Sequence, residues 1–323
     1  RDFNEVGSLN PHVRSQIAFN TESKVISTVK TNGVLITQAT PRGGIISGTS
    51  SVMALEGWNW EDATLLKDDG IHLNWPESID RGHRWEANSK SKSYEDRKRE
   101  IYAFFEMAKA YSNTEKNEKK DARFEAMRQC FKGKQRVYVH ANEIQQLVDI
   151  IDFSKAFDLA FPVIVGGYDA YLVARKLADA NIPVMVTRPH SLPENENDAP
   201  SLPYQLPFLL KQGGVKFCIQ NEGDMEAMNA RNIPFLAGTA MAYGLTEEEA
   251  VSSVSLWPCQ IMGLGDNYGS LEKGKSATLF VSDGNALDMR TNNLFLGMID
   301  GKFITLSNTQ RELFKKYEGK YEK

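Results

Sequence analysis

The alternation of apolar and polar positions changes rhythm several times along the chain. From Thr21, TESKVISTVKTNG suits a short helix ending at Gly33, and VLITQAT then reads as a strand stopped by Pro41. PRGGIISGTSSVMAL follows as two short apolar runs separated by glycine and serine. Its Gly43, Gly44 and Gly48 allow a tight turn or an anion-binding loop, but no Lys-Ser/Thr follows at phosphate-loop spacing. In the aromatic and acidic stretch after it, IHLNW places Ile71, Leu73 and Trp75 on one face of a strand and His72 and Asn74 on the other. His72 is thereby either solvent-facing or a site residue.

Residues 91–125 hold 17 charged residues in 35, yet Ile101, Phe104, Phe105 and Ala108 keep helical spacing. The pattern predicts amphipathic helices packed on the body of the protein, an insertion near residues 80–130 with EKNEKKD as its exposed turn. From Gln135 the rhythm becomes regular: RVYVHA strand, EIQQLVDIIDFSKAF helix, PVIVGG strand, DAYLVARKLADAN helix, IPVMVT strand. That is the βαβαβ order of a parallel sheet or barrel flanked by helices. A helix through YQLPFLLKQG then leads to the strand VKFCIQ, and Thr246 with Glu249 forms a capping box before AVSSVSL. In the tail, SATLFVSD and NLFLGMIDGKFITL are strand-like with Asp300-Gly301 as the hairpin turn, and RELFKKYEGKYEK suits a terminal helix.

Composition narrows the partners. The 323 residues carry 38 Lys+Arg against 42 Asp+Glu, a net charge of −4, so no basic excess points to nucleic acid. A content of 41 % hydrophobic residues excludes a wholly disordered chain, and no apolar run is long enough to span a membrane. Small molecules or protein are the expected partners. Cys130, Cys218 and Cys259 have neither zinc-like spacing nor the pattern of a disulfide framework. The chain starts at Arg1 without Met, which suits a processed or trimmed chain; a secretory leader before Arg1 is compatible with this, and the compartment is left open.

In parallel β/α units ligands bind at the carboxyl ends of strands, which singles out a few polar residues. His140 follows RVYV directly and suits a metal ligand, a proton acceptor or a substrate contact. Tyr168 follows Gly166-Gly167 at the next strand end, Arg188 and His190 lie at the third, and Glu222 and Asp224 at the fourth. Either carboxylate suits a ligand or base, or else simply begins a helix, where negative charge is favoured. His72, Arg188, His190 and Tyr168 are the candidate substrate-binding residues. Neither HxH nor HExxH is present, and G-x-S-x-G and GxGxxG are absent as well. Trp58, Trp60, Trp75 and Trp85 suggest a separate reading as aromatic platforms for a carbohydrate or peptide.

The segment GLTEEEAVSSVSLWPCQIMGLGDNYGSLEKGKSATLFVSDGN resembles the end of a metal-dependent amidohydrolase of the imidazolonepropionase-like group. The resemblance rests on Gly269, Ser270, Leu271, Glu272, Gly274, Lys275 and Ala277, with Thr278 where the family has Asp. It extends over residues 135–240 and, more weakly, over NPHVRS and PRGGIISGTSSV. It implies an α/β fold, a (β/α)8 TIM-like barrel lacking its N-terminal part, with a small β-sandwich portion at the C-terminus. The expected division is residues 1–265 for the barrel and 266–323 for the sandwich portion and tail.

The resemblance also implies hydrolysis of C–N bonds in amide or peptide-like substrates by metal-activated water, with a divalent ion, zinc first. His140 matches the family's strand-five histidine, and Glu222 falls where strand eight carries Asp, so the expected metal ligands are His140 and Glu222. Glu222 or Asp224 is the expected catalytic group that handles the proton. The HxH of the first strand would lie before Arg1, strand six has no histidine near residues 166–171, and His72 and Asn74 stand where a bridging lysine is expected. A non-catalytic binding or assembly protein that has lost its metal site, paired with itself or a paralogous subunit, is the alternative.

Overall fold

The computed structural model describes residues 6–78, 92–114, 119–222 and 226–321. The chain enters through α1 (Lys24–Lys30), whose N-cap Ser23 accepts a hydrogen bond from the Val25 amide, as the short-helix pattern predicts. Three strands follow: β1 (Ile36–Ala39), β2 (Ile46–Ala54) and β3 (Thr64–Asn74). The segment expected as two short apolar runs is one buried nine-residue strand, β2. Its glycine and serine are interior residues; at Gly48 a Cβ would stand 2.4 Å from the Val13 carbonyl, so the first loop packs there only because position 48 has no side chain.

Next come α2 (Tyr94–Ser112) and α3 (Ala122–Met127). Helix α2 buries Ile101, Phe104, Phe105 and Ala108, the four positions its spacing singled out, and Ser93 with Asp96 closes a capping box at its start. Most of the predicted turn EKNEKKD, residues 115–118, lies outside the described residues.

The alternating part runs β4 (Arg136–Ala141), α4 (Ile144–Ala156), β5 (Pro162–Gly166), α5 (Ala174–Asp179), β6 (Val184–Val186), α6 (Leu202–Gln212) and β7 (Phe217–Ile219). The single helix expected over residues 169–181 is divided: a 3-10 turn, Tyr168–Val173, precedes α5. Gly167 has a left-handed φ of 65°, and the fully buried Tyr168 ring anchors the turn, which delays the start of regular helix.

Helices α7 (Glu226–Asn229), α8 (Ile233–Ala242), α9 (Glu247–Val254) and α10 (Leu256–Ile261) follow. The capping box of Thr246 and Glu249 opens α9 as expected. Strands β8 (Leu279–Ser282), β9 (Leu294–Ile299) and β10 (Lys302–Phe303) and helix α11 (Thr309–Tyr321) complete the chain. Asp300 and Gly301 form the two-residue β9–β10 turn with φ of 48° and 76°.

Strands β1 to β7 hydrogen-bond in sequence order into one sheet. The pairs β1–β2 and β2–β3 are antiparallel, and every pair from β3 to β7 is parallel. The described residues thus form a mixed α/β fold with a curled, parallel-rich sheet of seven strands. Its outer face packs on the helices through Ile71, Leu73, Val137, Val139, Leu147, Ile150 and their neighbours. Val52, Tyr138, Val163, Val165, Met185 and Cys218 fill the inner face together with Cys259 and Met262 of the α10 region.

The C-terminal strands make a three-stranded antiparallel sheet. It contacts the main body where Phe280, Ile299 and Ile304 meet Leu35, Ala54 and Leu65. Cys130, Cys218 and Cys259 are all buried free thiols. Among the described residues no helix is long and apolar enough to cross a membrane.

Candidate active site

Strand register determines which side chains meet. His72 is opposite Tyr138, and Asn74 is opposite His140, so His72, Asn74, Tyr138 and His140 share the inner face near the carboxyl ends of β3 and β4. Ile71, Leu73 and Trp75 take the other face and are buried against the helices. The polar face is not solvent-facing at His72, whose side chain is enclosed. Burial, and secondarily the neighbouring His140, lowers the pKa of His72 well below the usual imidazole value, so it is neutral at pH 7.

The two imidazoles are in direct contact, with His72 Nδ1 2.9 Å from His140 Nε2. On its other side His140 Nδ1 lies 3.3 Å from Glu222 Oε2, which β7 carries in three residues past its last strand position. His72, His140 and Glu222 therefore form a row, closed at the His72 end and half-open at Glu222. His72 Nε2 is buried without a hydrogen-bond partner among the described residues, as is Nε2 of Gln220.

Beneath the row lies a polar cluster that the sequence pattern did not single out. The His72 ring stacks on Tyr138 with centroids 4.8 Å apart and planes 17° from parallel. Tyr138 Oη donates to Asp69 Oδ2 at 2.7 Å, Gln38 Nε2 donates to the same oxygen at 2.8 Å, and Ser50 Oγ donates to Oδ1 at 2.6 Å. Burial raises the pKa of Asp69, and the hydrogen bonds from Ser50, Tyr138 and Gln38 act against that rise. The available signal was period two: Tyr138 precedes His140 by two residues in RVYVHA and so shares its face.

The other candidates sit elsewhere. The Tyr168 ring belongs to the outer, helix-side core; its hydroxyl donates to Asp198 Oδ2 at 2.7 Å and accepts from the Glu194 amide at 3.1 Å. This commits its polar atom to shaping the loop before α6. His190 Nε2 is 2.6 Å from Thr239 Oγ1 on α8, and because that hydroxyl donates to the Phe235 carbonyl, the imidazole is the donor. Arg188 is half-buried just past β6, with no hydrogen bond or ion pair among the described residues. Asp224 lies outside the described residues.

Among the described tryptophans, Trp75 is not available as a surface platform. Trp75 is buried, its Nε1 donating to Tyr94 Oη at 3.0 Å, while Trp58 is almost fully exposed and Trp85 lies outside the described residues.

The expected zinc can be tested on this donor set. A gap of 3.3 Å between His140 Nδ1 and Glu222 Oε2 suits two corners of a tetrahedron with bonds of about 2.0–2.1 Å. A catalytic zinc needs three protein ligands, however, and among the described residues no group of three His, Cys, Asp or Glu is arranged around a common point. His72, the nearest further imidazole, points its Nδ1 at the other nitrogen of His140. The described donors do not fit a complete zinc site.

Residues 173–305 match the sequence pattern of the Amidohydrolase family. Among solved structures, an amidohydrolase from Thermotoga maritima superposes with a TM-score of 0.81 at 23 % identity, covering 94 % of this chain and 80 % of its own. A zinc-bound adenosine deaminase from Xanthomonas campestris matches at a TM-score of 0.41 and 14 % identity, over 78 % of this chain and 65 % of its own. Guanine deaminase from E. coli matches at 0.38 and 15 %, over 57 % and 50 %. No functionally curated protein matches the sequence significantly. The Thermotoga likeness establishes the fold.

Proposed function

We propose that this chain, which carries an amidohydrolase-family region over residues 173–305 on the fold of an amidohydrolase, hydrolyses C–N bonds in small amide or peptide-like substrates. The observation that carries the reading is the meeting of His140 and Glu222, at 3.3 Å, beyond the carboxyl ends of parallel strands. Residues 1–265 are read as the larger part of a (β/α)8 barrel with a charged helical insertion, and 266–323 as the sandwich portion and tail. Self-association, or pairing with a paralogous subunit, fits the same reading.

The side chains supply acid–base chemistry. Glu222, about one-third exposed, can take a proton from water attacking the amide carbonyl. His140 beside it stabilises the carboxylate and can pass the proton to the departing amine, so that amide and water become carboxylic acid and amine. Arg188, without a hydrogen-bond or ion-pair partner among the described residues, offers a cation for an anionic group of the substrate. If a divalent ion is part of the activity, His140 and Glu222 are the residues of this chain that would hold it, and it would supply Lewis acidity toward water and the amide carbonyl.

A second reading, a non-catalytic binding or assembly protein, is favoured by one contact: both nitrogens of His140 are already engaged within the protein. The two are separated by assaying the purified chain on N-acyl amino acids, dipeptides and cyclic amides, with zinc, manganese and iron measured by mass spectrometry. Hydrolysis that drops about 100-fold or more in Glu222→Gln and His140→Ala supports the first. Absence of turnover on every substrate, with or without added metal, supports the second.

A further inference from the structure

Helix α11 is tied to the body at its start, where Asn308 Nδ2 donates to Thr31 Oγ1 at 2.9 Å and Asn308 Oδ1 accepts from the Arg311 amide at 2.9 Å. From Glu312 to Tyr321 every residue is exposed. Yet Gln310, Phe314, Tyr317 and Tyr321 follow one another at intervals of four, three and four residues, the repeat of a helix that packs along one seam. Leu313 lies beside them in the same shallow groove, and Phe314 and Tyr321 are 64 % and 78 % exposed. A 13-residue helix with nothing on its apolar face is marginal in water, so this seam calls for a cover.

The edges of the seam select the occupant. Arg311 and Glu318 stand two helical turns apart on one edge, and Leu313 and Lys320 stand two turns apart on the other. When a second copy is laid antiparallel, with the two-fold axis level with Lys315 and Lys316, like edges face each other. Phe314 then meets Tyr317 of the second copy, Gln310 meets its Tyr321, Arg311 meets its Glu318, and the aliphatic stem of Lys320 covers its Leu313. Two-fold symmetry makes every one of these contacts twice. An anionic lipid surface fits the seam less well, because Glu318 lines it and helices that lie on such surfaces carry a basic rim.

We propose that α11 is a dimerisation helix whose seam pairs antiparallel with the same seam of a second copy, held in register by Arg311 against Glu318. Such pairing is independent of the proposed hydrolysis. Sedimentation velocity of the purified chain across micromolar concentrations is expected to show a reversible monomer–dimer equilibrium, weak because one helix pair falls short of the about 1,600 Å² of a standard interface. Phe314→Glu, at an exposed position, is expected to give a folded monomer. Arg311→Glu and Glu318→Arg each weaken the dimer about three- to tenfold, and the two together restore it.

A chain that is monomeric throughout overturns the proposal, and so does a dimer unchanged by Phe314→Glu. A double variant no tighter than its parents overturns the antiparallel register. Vesicles of phosphatidylserine and phosphatidylcholine test the other occupant: co-sedimentation of a monomeric chain assigns the seam to lipid and overturns the pairing as well. Turnover is no part of the readout, so a chain that hydrolyses no amide counts against the proposed function and leaves the dimer standing.

Discussion

Gly70 on β3 lies under the ring of Tyr138 on β4, so closely that a Cβ at position 70 would stand 2.3 Å from the ring edge. The missing side chain lets Tyr138 lie flat beneath His72 while its hydroxyl reaches Asp69. Gly70→Ala must displace the ring or the strand in a packed interior. Overpacking of this kind costs about 1–3 kcal/mol, and the expected outcome is a lower denaturant midpoint with an unchanged m-value. A midpoint equal to wild type would show that the ring has room to move.

Asp69 gives a pH dependence whose sign is fixed. Its pKa is raised by burial above the unfolded value near 3.8, so the folded state holds this proton more tightly than the unfolded chain. Its contribution is fully present below pH 3.8 and is lost as pH rises through the folded pKa. The stability of wild type relative to Asp69→Asn therefore falls as pH rises above 3.8, measured by urea unfolding at a series of pH values. A difference that grows with pH would mean that the hydrogen bonds outweigh burial.

Tyr94 joins three elements: its hydroxyl accepts from Trp75 Nε1 and donates to Asp149 Oδ2 at 2.7 Å, and Lys98 Nζ donates to the same carboxylate oxygen at 2.8 Å. Tyr94→Phe leaves the buried indole N–H without its acceptor. A loss of about 1–3 kcal/mol is expected, accompanied by a change in near-ultraviolet circular dichroism from Trp75. Retention of both signals would show that another acceptor replaces the hydroxyl.

Thr246 caps α9 by accepting from the Glu249 amide, while the Glu249 carboxylate accepts from the Thr246 amide at 2.9 Å. Thr246→Ala should cost about 1 kcal/mol of stability, and Thr246→Ser should restore most of it. Thermal unfolding of the two variants distinguishes loss of the cap from loss of the methyl group, which Ser also lacks.

Much of this protein was legible as periodicity. The spacing of Ile101, Phe104, Phe105 and Ala108 determined the buried face of α2, because a helix returns to the same side every three to four residues. The alternation in IHLNW and RVYVHA determined that His72 and His140 point away from Ile71 and Val139, because successive strand residues point to opposite faces. The Asp300-Gly301 turn followed from two residues that tolerate positive φ.

Only the tertiary structure decided what those polar positions would meet. Whether His72 faces water depends on β2 and β4 lying beside it, and these strands are brought there by pairing across gaps that no local pattern encodes. The same holds for the row itself: Glu222 reaches His140 from 82 residues further along the chain because the sheet curls β7 toward β4. It also holds for Tyr168, which alternation placed at a strand end but whose ring the 3-10 turn carries into the helix-side core. The sequence by itself determined the faces and the caps, which local geometry controls. Partners and burial, the meeting of His72 with His140 included, were decided by packing, since each depends on surfaces distant in the chain.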